Sequence, residues 1–243
     1  TSSGIINLIC FVYPGGSASY FASWKNYIDE RINLLPVLYP GREVRKCDKM
    51  DKTFDLFLKK FIEENIELFE IPYAFFGYCA GAVVSYELSA LLNKIKGSKP
   101  IWNFIASSES PKYLKNSIVK FPDKNDKENL VNYLMGFGIF DEQIVRNDIF
   151  LDYYFPMIKA DCNMLDTYKY IEKNKMNYSM DVFYGKDDVS IKYDNILDWE
   201  NYTNGNVIFH ECEGKHFFVD NNIEYISNII NNRLISNTSS IKL

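Results

Sequence analysis

The junction between an apolar segment and a helical segment near residue 79 limits the possible folds most strongly. Pro72 to Tyr78 is a continuous apolar run of strand length, and Ala80 to Leu92 follows it at once as a predicted helix. The junction reads Gly77-Tyr78-Cys79-Ala80-Gly81. A strand that turns into a helix without a loop favours glycines at this spacing, because side chains there would clash with neighbouring backbone. We therefore predict that Cys79 lies in a strained turn at a helix N-terminus.

Segments of strand length alternate with helical segments along the rest of the chain. The other predicted strands are Ile5 to Tyr13, Leu34 to Tyr39, Ile101 to Ser107, Met180 to Gly185 and Val207 to Cys212. The predicted helices are Ala18 to Ile32, Asp51 to Leu68, Asn195 to Tyr202 and Asn222 to Leu234. This alternation implies a mainly parallel sheet with helices on both faces. With 243 residues, 47% of them hydrophobic, the chain suffices for one α/β domain over residues 1–243.

Residues 111–175 interrupt the alternation. This stretch is polar, rich in aromatic residues and poor in strands, with predicted helices near Lys127 to Met135, Asp141 to Asn147 and Ile149 to Ile158. It is too structured for a linker, so we predict a helical insertion in the sheet domain.

The composition excludes several classes of function. A formal net charge of -5 argues against binding nucleic acid by neutralising phosphates. Two histidines and no Cys-x-x-Cys motif make a metal site unexpected. Five cysteines without framework spacing are typical of a reducing compartment. No secretion signal is visible and no apolar run approaches the roughly 20 residues of a membrane span, so we expect a cytoplasmic protein without a membrane or cofactor partner.

Cys79 is the candidate nucleophile. A helix N-terminus favours a thiolate, and a nucleophilic thiol needs a base within hydrogen-bond reach. His216 follows the last predicted strand, where a base over the sheet edge is expected, whereas His210 lies within that strand. We therefore prefer His216 over His210 as the base.

An acidic residue is expected to orient the histidine, and the segment Gly185-Lys186-Asp187-Asp188 ends the preceding strand. Either aspartate is suitable, and we favour Asp188. The order nucleophile, acid, histidine along the chain is that of the α/β-hydrolase fold. We therefore predict this fold, with residues 111–175 as its helical insertion.

Several motifs together resemble one family. They are Phe11 to Ala18, Tyr39-Pro40-Gly41-Arg42-Glu43, Ala74 to Gly77, Tyr154-Phe155-Pro156, Lys159-Ala160-Asp161, Tyr168, Trp199 and Gly214 to Phe218. Over nearly its whole length the chain resembles the stand-alone type II thioesterases of nonribosomal peptide and polyketide assembly lines.

The resemblance implies hydrolysis of acyl groups from the phosphopantetheine arm of an acyl or peptidyl carrier protein, without a cofactor. It also implies that residues 111–175 form a lid over an acyl channel. Aromatic residues of this stretch are candidates to line the channel or to pack on the core, namely Tyr133, Phe137, Phe140, Phe150, Tyr153 and Phe155.

Two positions depart from the family pattern. Cys79 replaces the family's serine, with Tyr78 where histidine is usual. Pro14 replaces an alanine whose backbone N–H is expected to serve the oxyanion hole, and proline has no N–H. The expected donors are therefore Ala80 together with Gly15 or Gly16, or else hydrolysis is weak.

Three functions follow as hypotheses. The first is a thioesterase that acts through an acyl-Cys79 intermediate. The second is an acyltransferase that passes the acyl group from Cys79 to an amine or another nucleophile. The third is a non-catalytic carrier-binding protein, because a fold alone does not establish activity.

Overall fold

A six-stranded parallel sheet forms the centre of the protein. The computed structural model describes residues 5–114, 127–136 and 142–238. The strands are β1 (Ile6–Phe11), β2 (Ile32–Pro36), β3 (Tyr73–Tyr78), β4 (Trp102–Ala106), β5 (Ser179–Gly185) and β6 (Val207–Cys212). Their order is β2-β1-β3-β4-β5-β6, and every neighbouring pair is parallel. The α/β class predicted from the alternation is confirmed.

Helices and short 3-10 segments connect the strands. The α-helices are α1 (Phe54–Glu64), α2 (Ala80–Lys96), α3 (Lys127–Gly136), α4 (Glu142–Val145), α5 (Asp148–Asp166), α6 (Tyr193–Leu197) and α7 (Ile223–Thr238). Every residue of β1 and of β3 is buried, as expected for central strands covered on both faces. Cys79 directly follows β3, so it lies near the middle of the row formed by the carboxyl ends of the six parallel strands.

The segment after β1 differs from its prediction. Instead of a helix from Ala18 to Ile32, the chain forms a 3-10 helix over Ala18–Asn26. Phe21 and Trp24 are buried and lie three residues apart, which matches the three-residue turn of a 3-10 helix, whereas Tyr27 is 42% exposed. Ile32 already belongs to β2, where it pairs with Ile6.

The helical insertion lies between β4 and β5 and contains α3, α4 and α5. Helix α5 continues past the predicted end to Asp166, with Pro156 inside it. Its C-terminal half packs on the main core through Met164 and Leu165. Its middle forms a smaller cluster with the other insertion helices, composed of Val131, Val145, Leu151, Phe155, Ile158 and Cys162.

The predicted channel aromatics fall into different environments. Phe155 is buried in the smaller cluster, Phe150 is half-buried, and Tyr153 is 58% exposed. Phe137 and Phe140 lie outside the described residues, as does the side chain of Tyr133. Of the two roles predicted for these aromatic residues, Phe155 therefore has the packing role, within the cluster of the insertion helices.

Candidate active site

The turn between β3 and α2 has the strained geometry predicted from its glycines. Cys79 has φ 55° and ψ -125°, a conformation that costs a non-glycine residue about 1–3 kcal/mol. A Cβ on Gly77 would lie 2.4 Å from the Ala82 Cα, and one on Gly81 would lie 2.5 Å from the Phe11 carbonyl oxygen. Both glycines are therefore required by close backbone approach.

Cys79 occupies the N-cap position of α2, and its side chain makes no capping hydrogen bond. Its backbone N–H donates to the Ala106 carbonyl at 2.8 Å, which fixes the turn to the end of β4. The thiol is partly exposed, whereas Cys10, Cys162 and Cys212 are buried. Burial raises the pKa of the Cys212 thiol to about 11. Cys79 is thus the partly exposed thiol at a helix N-terminus.

His216 and Asp188 meet at the same edge of the sheet. His216 Nδ1 lies 2.8 Å from Asp188 Oδ2, and their side chains are 8% and 2% exposed. A Cβ on Gly185 would lie 2.4 Å from the Lys215 carbonyl oxygen, so the glycine allows the two loops to touch. The structure brings together the predicted histidine and the preferred aspartate.

The two alternative residues lie elsewhere. Asp187 is exposed. His210 Nε2 lies 2.6 Å from Asp181 Oδ1, and His210 Nδ1 lies 3.2 Å from the Tyr225 hydroxyl. Asp181 also accepts hydrogen bonds from Arg233, which places His210 in a separate polar cluster.

Opposing effects act on the protonation of the pair. Burial lowers the pKa of His216, but the charge of Cys79 and hydrogen bonds with Asp188 and Cys79 raise it to about 10. Burial alone would raise the pKa of Asp188, yet hydrogen bonds from His216 and Ser190 hold it below its ordinary value. The geometry therefore favours a charged imidazolium held by a carboxylate.

Residues not identified from the sequence fix the histidine. Ser107 Oγ donates to the His216 carbonyl at 2.6 Å, and the Tyr78 hydroxyl donates to it at 3.3 Å. Ser190 Oγ lies 3.1 Å from His216 Nδ1 and donates to Asp188 Oδ1 at 2.5 Å. Ser107 directly follows β4, and Ser190 lies two residues after Asp188. In the sequence, the one indication of their role was that each lies in a segment that follows a strand.

The loop after β1 does not offer the predicted oxyanion donor. The Gly15 N–H donates to Asp161 Oδ2 at 2.7 Å, and the Gly16 N–H donates to the Tyr13 carbonyl at 2.9 Å. Both predicted alternatives are therefore engaged by the protein itself. Pro14 and Gly15 occupy the centre of this turn, and the φ of 81° at Gly15 is typical of the second central residue of a type II turn. Ala80, as first residue of α2, has no intrahelical acceptor for its N–H.

A buried ion pair holds this loop. Arg42 Nη2 lies 2.6 Å from Asp161 Oδ1, with side chains 2% and 5% exposed. Arg42 also donates to the Gly16 carbonyl at 2.5 Å. Asp161 belongs to α5, so the insertion is joined directly to the loop beside Cys79. The motifs containing Arg42 and Asp161 were visible in the sequence, but their contact was not.

Comparison with known proteins identifies the family. The model of the family described as Thioesterase domain matches residues 6–234. The chain belongs to the thioesterase domain family.

Individual relatives cover most of this thioesterase-family chain. Linear gramicidin dehydrogenase LgrE of Brevibacillus parabrevis is 27% identical over 241 residues, covering 97% of this chain and 90% of LgrE. The medium-chain S-acyl fatty acid synthase thioesterase of Rattus norvegicus is 25% identical over 233 residues, covering 93% and 87%. The structure of the type II thioesterase BorB, from the borrelidin biosynthetic cluster, superposes with a TM-score of 0.81 at 22% identity, covering 96% and 94%. The predicted α/β-hydrolase fold is confirmed.

Aromatic rings pack around the candidate site of this thioesterase-family protein. Tyr13 packs edge-on against Phe217, with ring centroids 4.9 Å apart, and against Tyr78 at 5.3 Å. Tyr20 packs on Tyr13 and donates from its hydroxyl to Asp220 at 2.5 Å. Tyr78, which precedes Cys79, and Phe217, which follows His216, therefore pack in one aromatic cluster.

The described parts of the chain contain no group of three or more His, Cys, Asp or Glu residues arranged to hold a metal ion. Within those same ranges, no helix has the length and apolar character needed to cross a membrane.

Proposed function

We propose that the protein is a type II thioesterase of nonribosomal peptide or polyketide assembly that hydrolyses carrier-bound acyl thioesters through an acyl-Cys79 intermediate. The observation that carries the proposal is the 2.8 Å contact between His216 and Asp188 beside a cysteine at the strained strand-to-helix turn. Family membership, the name of the rat S-acyl fatty acid synthase thioesterase and that of the type II thioesterase BorB support the substrate class.

The first chemical step transfers the acyl group to Cys79. His216 already holds the thiol proton as an imidazolium, so the Cys79 sulfur attacks the thioester carbonyl carbon as a thiolate. When the tetrahedral intermediate collapses, the bond to the pantetheine sulfur breaks and His216 returns a proton to that leaving thiol. One thioester replaces another, so this step is close to balanced in free energy and easily reversible.

Hydrolysis then completes the cycle. His216 removes a proton from water, and the resulting oxygen nucleophile attacks the acyl-Cys79 carbonyl. The bond to the Cys79 sulfur then breaks, which releases the acid and leaves a thiolate beside the protonated His216. Asp188 holds His216 in the required tautomer throughout. The Ala80 N–H is the proposed donor to the developing oxyanion, because a helix N-terminus presents unpaired N–H groups.

Residues 111–175 are proposed to act as a lid over the acyl chain. Helix α5 carries the support for this role, because Asp161 joins it to the loop at Pro14 while Phe150 and Tyr153 lie towards its N-terminal end. A lid that contacts the oxyanion loop directly would couple substrate entry to the geometry of the reacting carbonyl.

Acyl transfer to an amine is the second candidate. The observation that favours it is that none of positions 14 to 16 offers a free N–H, since Pro14 has none and those of Gly15 and Gly16 are engaged. A weakened oxyanion hole slows attack by water, and an amine competes well for a thioester.

Intact-protein mass spectrometry after mixing with acetyl-pantetheine or hexanoyl-pantetheine tests the proposal. We expect an acyl adduct on the parent protein and on Cys47→Ala, which removes an exposed cysteine, but none on Cys79→Ala. The absence of any adduct would support the non-catalytic carrier-binding hypothesis. Faster release of free acid than of amide in the presence of an amine would support hydrolysis over transfer.

A further inference from the structure

A groove on the surface beside α5 combines an apolar floor with an unbalanced positive rim. It lies between residues 40–52 and the stretch of α5 from Pro156 to Met164, and its volume is about 530 Å³. The apolar side chains that line it are Pro40, Met50, Pro156, Met157, Ala160 and Met164. Its basic residues are Lys46, Lys49 and Lys52, which are all exposed. We call this feature the lysine groove.

The acidic residues of the lysine groove are already neutralised. Asp48 forms an ion pair with Arg45 at 2.8 Å, and Asp51 forms one with Lys60 at 2.5 Å. Lys46, Lys49 and Lys52 form no ion pair with any residue in the described ranges. Three positive charges therefore remain on a chain whose formal net charge is -5.

The lysine groove shares one residue with a cavity beside the strained turn that carries Cys79. Met164 lines the groove and also a small cavity whose wall includes Ala80, Gly81 and Asp161. The same cavity is lined by Tyr39, the residue before Pro40. Met164 of α5 and the segment Tyr39-Pro40 therefore lie between the groove and the strained turn.

We propose that the lysine groove docks the carrier protein at the point where its phosphopantetheine arm is attached. This inference rests on the proposed function and adds the surface that recognises the partner. The arm joins its carrier through a phosphodiester, so the attachment point is anionic whatever the acyl group is. Carrier proteins are commonly acidic, so carboxylates around that point would face the three lysines while the arm extends towards Cys79.

Charge determines the form of the contact. Exposed lysines on the rim of an interface act mainly on the rate of encounter and on its salt dependence. Three such lysines are too few to bind nucleic acid strongly against the net charge of this chain. The groove also offers apolar side chains beneath the lysines, which a folded acidic protein can contact with apolar residues of its own and a flexible polyanion cannot.

The test compares two triple charge reversals. Lys46→Glu/Lys49→Glu/Lys52→Glu reverses the groove, and Lys94→Glu/Lys96→Glu/Lys99→Glu makes the same change at exposed lysines in and just beyond the last turns of α2. That end of α2 is about 25 Å along the helix from Cys79. Circular dichroism and thermal unfolding verify that both variants are folded. Lys46→Gln/Lys49→Gln/Lys52→Gln is a milder version if the reversal fails to fold.

Each protein is assayed with an acetyl-loaded acidic carrier protein and with acetyl-pantetheine. We expect the groove variant to raise KM for the loaded carrier about tenfold and to reduce its salt dependence. Turnover of acetyl-pantetheine should not change, and the α2 variant should match the parent on both substrates. Equal KM values for the carrier in the parent and the groove variant, or the same increase in the α2 variant, would overturn the docking site.

Binding separates failure of docking from failure of the proposed function. If acetyl-pantetheine is not turned over by the parent, the proposed function fails, yet docking is still measured with Cys79→Ala and the loaded carrier by fluorescence anisotropy. We expect weaker binding when the groove reversal is added to Cys79→Ala. Equal affinity with and without the reversal, including no binding in either case, overturns the proposal.

Discussion

Asp161 accepts a hydrogen bond from the Gly15 N–H at 2.7 Å while it pairs with Arg42 at 2.6 Å. One carboxylate of α5 therefore engages the N–H next to Pro14 and the cation that holds the following Gly16 carbonyl. The insertion and the loop beside Cys79 form one unit through these two residues. Rates that depend on the loop should consequently respond to changes in α5.

Pro14→Ala should accelerate hydrolysis of the acyl enzyme. The substitution adds a backbone N–H where the family resemblance expects an oxyanion donor, and one such donor typically contributes about 2.7–4 kcal/mol. We expect an increase of about tenfold or more in the rate of acid release in single turnover, below the full value because the turn is built around proline. Pro72→Ala is the control, because Pro72 directly precedes β3 and lies at the opposite end of that strand from Cys79. An unchanged rate of acid release would show that position 14 does not limit hydrolysis.

Asp161→Asn should destabilise the fold strongly. It leaves the Arg42 guanidinium buried without a counter-charge, and breaking a buried pair in this way costs about 3–5 kcal/mol. Urea unfolding followed by fluorescence gives the free energy of unfolding. Asp48→Asn removes the partner of Arg45 on the surface and should cost less than about 1 kcal/mol. Similar losses for the two substitutions would contradict the structural role of the Arg42 pair.

Stability should fall as the pH rises above the ordinary pKa of histidine. The pKa of His216 is raised from 6.5 to about 10 in the folded protein, so its contribution is complete below about pH 6.5 and is lost as the pH approaches 10. From about pH 6.5 to 8.5 the free energy of unfolding should fall by at most about 1.4 kcal/mol per pH unit. His216→Gln should flatten this dependence, and His210→Gln is the matched control. A profile that keeps its slope in His216→Gln would refute the assignment.

Alkylation of Cys79 should lower the pKa of His216. The charge of Cys79 is the largest of the effects that raise the pKa of His216, and reaction with iodoacetamide removes it. NMR titration of the His216 imidazole before and after alkylation measures the change. Acylation removes the same charge, so a lower pKa in the alkylated protein would mean that more of His216 is neutral in the acyl enzyme and able to accept a proton from water. An unchanged pKa of His216 after alkylation would show that Cys79 does not affect the protonation of His216, which would contradict their contact.

Gly81→Ala should prevent the turn from forming in its present shape. The added Cβ would lie 2.5 Å from the Phe11 carbonyl oxygen, which belongs to the backbone of a central strand and has no room to move. We expect a loss of several degrees in Tm and loss of acylation of Cys79. Gly97→Ala is the comparison, because no atom lies within 4 Å of its added Cβ. Its positive φ adds only local strain at the end of α2.

The sequence predicted the structure best where a residue type is required by its immediate neighbours along the chain. Glycines at 77 and 81, an apolar run of strand length and the order of Cys79, Asp188 and His216 predicted the inner strands, the turn and the residues brought to one edge. The 3-10 helix at Ala18–Asn26 was predicted as an α-helix because Phe21 and Trp24 fit both periods. Base and acid are adjacent because parallel strands end at one edge, which the strand order already implied.

Contacts across long separations could not be derived in the same way. Arg42 and Asp161 are 119 residues apart, and neither position alone shows that the other neutralises it. The Gly15 N–H was expected to be available because the reason for its engagement lies on α5. Ser107 reaches the His216 carbonyl across 109 residues, so only the folded chain reveals it.

Cys79 begins α2 but does not cap it through its side chain. No hydrogen bond from the thiol supports the first turn of α2, so acylation of the sulfur would break none. Under the proposed mechanism, the residue that is acylated in every cycle is thus one whose side chain makes no capping hydrogen bond to the helix. Such an arrangement would let the sulfur gain and lose acyl groups repeatedly while the backbone hydrogen bonds of the turn stay in place.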